Sequence, residues 1–115
     1  MKHSTARLLL ILLFSAILIS MIAATVVASM ERGIFVAASE LIHDAWFRAT
    51  LYDAYFGFIT FFVWVAYRER HFPQRGLWFL AIMLLGNIAM SVYVLLQLFR
   101  MSPGDSLESL LLRKN

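Results

Sequence analysis

Cysteine is absent from this 115-residue chain. That excludes disulfides, thiolate-held metals, iron–sulfur clusters and thiol nucleophiles, and it leaves the redox compartment unread. Charge is scarce as well: Asp, Glu, Lys and Arg make up 15% of the residues, where soluble domains carry about 25%. No Gly-rich phosphate loop, metal-ligand spacing or Ser/His/Asp arrangement occurs, and the acids are too scattered for a paired-carboxylate site. Neither an enzyme nor a metal or other cofactor is expected. The three histidines, His3, His43 and His71, fall outside the long apolar runs, which removes a transmembrane haem.

What is present is mostly apolar. Hydrophobic residues make up 62% of the chain and the mean hydropathy is +0.78, more than so short a chain can bury in its own core. The formal charge is +3, and the bases stand in clusters beside apolar runs: Lys2 and Arg7, then Arg68, Arg70 and Arg75, then Arg100, then Arg113 and Lys114. Bases flank membrane spans in this way. A nucleic-acid surface would place them along one face or groove, with aromatics for stacking. The lipid bilayer, not nucleic acid, is the expected partner.

A crossing helix needs about 20 apolar residues, because about 30 Å of hydrocarbon is spanned at about 1.5 Å per residue. Residues 8–29 and 76–99 are free of charge, and 49–67 contain Asp53 alone. The polar segment 68–75 separates the last two, and Pro73 disfavours helix at Phe72. The expected fold is therefore an all-α, multi-pass membrane protein, one integral domain over residues 1–115 with three transmembrane helices. Val26-Val27-Ala28 resembles a signal cleavage site, but the apolar run before it exceeds the roughly 7–15 residues of a signal core, so a retained helix is expected.

Between the first two spans, after a break at Gly33, Ala38, Leu41, Ile42 and Ala45 recur at helical spacing, with Glu40, His43 and Asp44 on the other side. A short amphipathic helix on the membrane surface follows. Asp44 and Arg48 are spaced for a helix ion pair, and Trp46 and Phe47 suit an aromatic belt. In the tail, residues 100–115, Ser102-Pro103-Gly104-Asp105 is a stop. A short helix through Leu107, Leu110, Leu111 and Leu112 could then start from a Ser106 or Asp105 cap, the tail either lying on the membrane or remaining flexible.

Three crossings would put Lys2, Arg7, Arg68, Arg70 and Arg75 on one side and Arg32, Arg48, Arg100, Arg113 and Lys114 on the other. The counts tie. The first set is more compact, so the N-terminus is expected in the cytoplasm and the C-terminus outside.

Helices in lipid approach through small residues. Ala16, Ser20, Ala24 and Ala28 form such a stripe in the first span, Gly57 and Thr60 offer one in the second, and Gly86, Asn87 and Ser91 in the third. These should face protein, leaving Phe58, Phe61 and Phe62 toward lipid. Asp53 is the one ionisable residue inside a span, and such a residue usually faces protein or water with a partner. By depth along upright spans, Tyr93, Ser91 or Thr25 should donate to it, with Arg48 near enough to influence its charge. Asn87, in mid-span, reads as interhelical glue. Tyr93 and Gln97 read as interfacial residues at the outer end, and Trp64, Tyr67 and Trp78 as a belt around the polar turn.

One ordered set of residues crosses the last two spans: Asp53-Ala54-Tyr55-Phe56-Gly57-Phe58, Trp64-Val65-Ala66-Tyr67-Arg68-Glu69, Leu85-Gly86-Asn87 and Tyr93-Val94-Leu95. It resembles the small membrane proteins grouped as domain of unknown function 1475, over a little under half the chain. The resemblance implies a membrane protein, carries over no catalytic residue, and directs attention to Asp53, Gly57, Arg68, Glu69, Gly86 and Asn87. The functional expectation is a small non-enzymatic membrane protein that associates with itself or with a larger membrane complex. The alternative is an oligomeric transporter or ion pathway using Asp53, with Asn87, Ser91 and Tyr93.

Overall fold

The computed structural model describes residues 2–102 and 104–112. Six helices follow one another: α1 (Lys2–Glu31), α2 (Ile34–Leu41), α3 (Ala45–Arg68), α4 (Phe72–Leu85), α5 (Asn87–Phe99) and α6 (Glu108–Leu111). No strand occurs among the described residues. Two helices, α1 and α3, are long and apolar enough to cross a membrane. At about 1.5 Å per residue they measure about 45 and 36 Å. Three crossing helices were expected, and only these two have the length and apolar composition for it.

The stretch 76–99 is not one helix. Gly86 stands between α4 and α5 with φ 56° and ψ −123°, the geometry of the first central residue of a type II′ turn. Its N–H closes α4 on the Ile82 carbonyl, and its own carbonyl accepts from Met90 to open α5. The two helices bend back on each other, and the Trp78 and Tyr93 rings meet at 4.8 Å. Further along, Gln97 reaches Arg68, just before the start of α4. Gly86 has room for nothing more: an added Cβ would lie 2.7 Å from Cζ of Phe58.

Local signals explain the other boundaries. Asp44 caps α3 by accepting from the Phe47 amide at 2.8 Å, so it is not paired with Arg48, whose guanidinium donates instead to the Ile42 carbonyl. The ion pair of this region is Arg32–Glu40 at 2.7 Å, between exposed side chains. The amphipathic helix after Gly33 is α2, with Ala45 belonging to α3 rather than to it. Pro73 sits in the first turn of α4, where its missing N–H would have no helical partner, and Phe72 is the first helical residue rather than a loop residue.

Packing runs α1 on α5, α5 on α4, α4 on α3. Val65, Ile82, Ala89 and Tyr93 form one buried cluster, with Phe58, Phe61, Phe62, Trp64 and Trp78 packed against it. The three phenylalanines expected toward lipid thus face the hairpin. A straight third span would have offered small residues to α3. The bent one presents a Gly86 notch and the buried Ala89, into which aromatic rings fit. Conversely Ala16, Ser20, Ala24 and Gly57 are exposed within the single chain, and of the expected packing residues only Gly86 and Ser91 are buried. The first half of α1 is held instead through Leu10, Ile11 and Phe14 against a second cluster of Val94, Leu98, Met101 and Leu110.

Because α5 returns, its last turn lies beside the beginning of α1: Arg7 Nε donates to the Leu98 carbonyl at 2.9 Å. The two ends of the bundle therefore do not alternate as three crossings would require. The tail is tied down at the same end, Leu110 being buried. Leu107 is the cap residue of α6, without a side-chain bond, while the Asp105 carboxylate accepts from the Ser102 amide. Pro103 and the basic pair Arg113 and Lys114 lie outside the described residues.

Candidate functional site: a buried arginine at the junction of α3, α5 and the tail

Glu69 adopts an extended conformation and ends α3, which leaves Arg68 as the last helical residue. Its side chain is only 7% exposed. A guanidinium taken out of water needs its donors satisfied, and here the backbone of the tail supplies most acceptors. Nη1 donates to the carbonyls of Ser109 (3.1 Å), Leu112 (2.9 Å) and Leu110, and Nη2 donates to Gln97 Oε1 at 2.7 Å. The carbonyls at the end of α6 have no helical partner of their own, which is why a cation fits there. Arg68 Nε is buried without an acceptor among the described residues. Trp64, one turn earlier, donates from its indole to the Leu111 carbonyl at 3.1 Å, and its ring carries the Arg68 guanidinium at 5.8 Å.

Glu69 continues the network. Its carboxylate accepts from the Tyr93 hydroxyl at 2.7 Å, and its carbonyl accepts from Arg75 Nε at 2.8 Å. Tyr93 is fully buried and surrounded edge-on by Phe61, Trp64 and Trp78. Beside this network opens a cavity of about 210 Å3, between the α3–α4 turn (Glu69, Arg70, His71) and the end of α5 (Gln97, Arg100). Arg68 and Gln74 complete its lining.

The candidates singled out from the sequence are dispersed. Asp53 lies eight residues into α3, about 12 Å from its start, exposed and without a hydrogen bond to the described residues. None of its expected partners meets it. Tyr93 donates to Glu69, Ser91 donates to the Asn87 carbonyl at 2.6 Å, Arg48 serves Ile42, and Thr25 lines a shallow groove beside α2. The depth count behind that expectation assumed a straight third span, and the bend carries Ser91 and Tyr93 away. Asn87, the first residue of α5, is exposed rather than buried between helices. Tyr93 and Gln97 are buried in the polar network, not interfacial at the opposite end.

The sequence patterns did not single out Gln97, Trp64 and Arg75 as network members. The Arg-Glu pair at 68–69 was marked by the family resemblance alone. Its partners lie up to 44 residues away, so no local spacing could reveal them. Among the described residues no three His, Asp or Glu side chains converge as a metal site would need.

Among the described residues the fold and this network thus define a class: all-helical, with two span-length helices, a glycine-hinged helical pair and an arginine–glutamate network. The family described as protein of unknown function (DUF1475) matches residues 2–115, and the chain belongs to it. The match covers α1 and the tail as well as the segment 51–98 that carries the motifs. No curated protein and no solved structure matches.

Proposed function

We propose that this protein is an integral membrane protein with two crossing helices, α1 and α3, and a hairpin, α4–α5, that enters the bilayer and returns. It acts by associating with itself or with a larger membrane complex, and not as an enzyme. The lengths support the topology: α4 and α5 measure about 21 and 20 Å, each short of the about 30 Å of hydrocarbon. Irregular backbone is tolerated at such depth where protein covers it, and Gly86 is buried against Phe58. Arg7, Arg68, Arg70, Arg75 and Arg100 then share one side and face Arg32 and Arg48 on the other, an asymmetry that supports the first side as the cytoplasmic one. The basic side is cytoplasmic, and the start of α1 and the tail helix α6 both lie there.

The observation that carries association is Asp53. A carboxylate on a crossing helix costs several kcal/mol in contact with lipid, at least ~2.5 near mid-bilayer, and such residues face protein or water. Here it is exposed among the described residues, because the hairpin ends near Phe58. The exposed stripe Ala16, Ser20 and Ala24 stands equally open, and small residues are how helices approach in lipid. A second copy or a partner helix on these faces satisfies both. The absence of cysteine makes the test direct. In native membranes, Ser20→Cys and Ala24→Cys should form disulfide-linked dimers, and Ile19→Cys and Val26→Cys on the other face should not. Equal linking at all four positions, or at none together with no co-purifying membrane protein, would remove the proposal. The pathway alternative rests on the same carboxylate and predicts proton-coupled flux in proteoliposomes that Asp53→Asn abolishes.

A further inference from the structure

The cavity beside the Arg68 network has the chemistry of an anion site. Arg68, Arg70, Arg100 and His71 line it against a single acid among the described residues, Glu69, whose carboxylate already accepts from Tyr93. The side chains of Gln74 and Gln97 also line it, although Gln97 Oε1 is engaged by Arg68. Guanidiniums present paired N–H groups that match phosphate oxygens. At about 210 Å3 the cavity is below the ~300–1,000 Å3 of clefts that bury a drug-sized ligand, so it suits a headgroup alone.

The end of the bundle that carries the cavity selects among phosphates. Phe72, next to His71, is 80% exposed, and Phe99, next to Arg100, is 60% exposed. Bare aromatic rings at the same helix ends offer an inorganic phosphate nothing, whereas the chains of an amphiphile can lie against them. The charged end also coincides with the level where α3, α4 and α5 begin or finish, which is where headgroups lie if the bundle is embedded. Basic pockets between helices on the cytoplasmic side are suited to anionic headgroups. We propose that this cavity binds the phosphate of an anionic phospholipid, a reading that rests on the membrane placement argued above. Arg70 and Arg100 are exposed on the cavity and hold the phosphate directly. Arg68 is consumed by the tail and Gln97, and it positions the cavity wall.

The test uses the full chain in mild detergent, with phosphatidylglycerol and phosphatidylcholine as probes and native mass spectrometry counting retained lipid. Phosphatidylglycerol should be retained in preference. Arg70→Gln and Arg100→Gln should each weaken that retention about fivefold, the equivalent of ~1 kcal/mol per basic residue at an anionic surface. Arg32→Gln, at the opposite end, should leave it unchanged. Equal retention of both lipids, or equal losses in all three variants, overturns the site. Displacement of phosphatidylglycerol by millimolar inorganic phosphate overturns the lipid assignment in favour of a soluble anion. A chain recovered in aqueous buffer without detergent would instead refute the membrane reading, independently of the pocket.

Discussion

Replacing Gly86 by alanine separates a straight third helix from a bent one by the sign of the effect. In a continuous helix the change would stabilise by about 1 kcal/mol, since alanine is the better helix former. At φ 56°, ψ −123° an L-residue is strained, at a cost of about 1–3 kcal/mol. The new Cβ would also stand 2.7 Å from Phe58 Cζ, so the ring must leave its seat against the notch. Together the expected loss is about 2–4 kcal/mol. Titration of the detergent-solubilised protein with sodium dodecyl sulfate, followed by far-ultraviolet circular dichroism, measures it. Phe58→Leu supplies the internal check. In that background the clash is relieved while the backbone strain remains, so the Gly86→Ala loss should shrink by about 1 kcal/mol without vanishing. Unchanged or increased stability of Gly86→Ala would refute the bend.

Two further outcomes follow from the same geometry. Arg68→Met leaves three tail carbonyls and Gln97 Oε1 without their donor, at about 1–3 kcal/mol, the cost of stranding buried acceptors. Hydrogen exchange and proteolysis should then rise selectively at residues 104–112, and protection that stays at its original level would contradict the strap. For topology, single cysteines at Thr5 and Ser102 should be labelled by an impermeant maleimide from one side of sealed vesicles, and Ser39→Cys from the other. Labelling of Ser102→Cys together with Ser39→Cys would restore three crossings.

Much of the helical layout is local and was legible from residue order. Uncharged apolar runs give α1 and α3 their length and Gly33 marks a break, whereas Asp44 and Pro73, read as an ion-pair partner and a helix breaker, prove to be helix-start residues. The family pattern was legible too, through Asp53, Arg68, Glu69 and Gly86 in their order. The direction of the chain after Gly86 was not, because the run 76–99 is as apolar and charge-free bent as straight. Glycine permits both conformations. The choice depends on whether Phe58, Trp78 and Tyr93 gain more by packing around a bend than lipid would gain from a through-running helix, and that comparison involves residues up to 35 positions apart. Everything downstream depended on it. Had the helix run straight, Tyr93 and Gln97 would have lain far from residues 68–69. Bent, it brings them to Glu69 and Arg68, buries an arginine that residue order alone would leave in a solvated turn, and moves Arg100 to the side of Arg70. Sequence determined which segments are apolar and helical, because hydropathy and capping are properties of neighbours along the chain. Tertiary structure decided the course of the last apolar run and the polar network, because a glycine hinge is neutral locally and only distant side chains choose its angle.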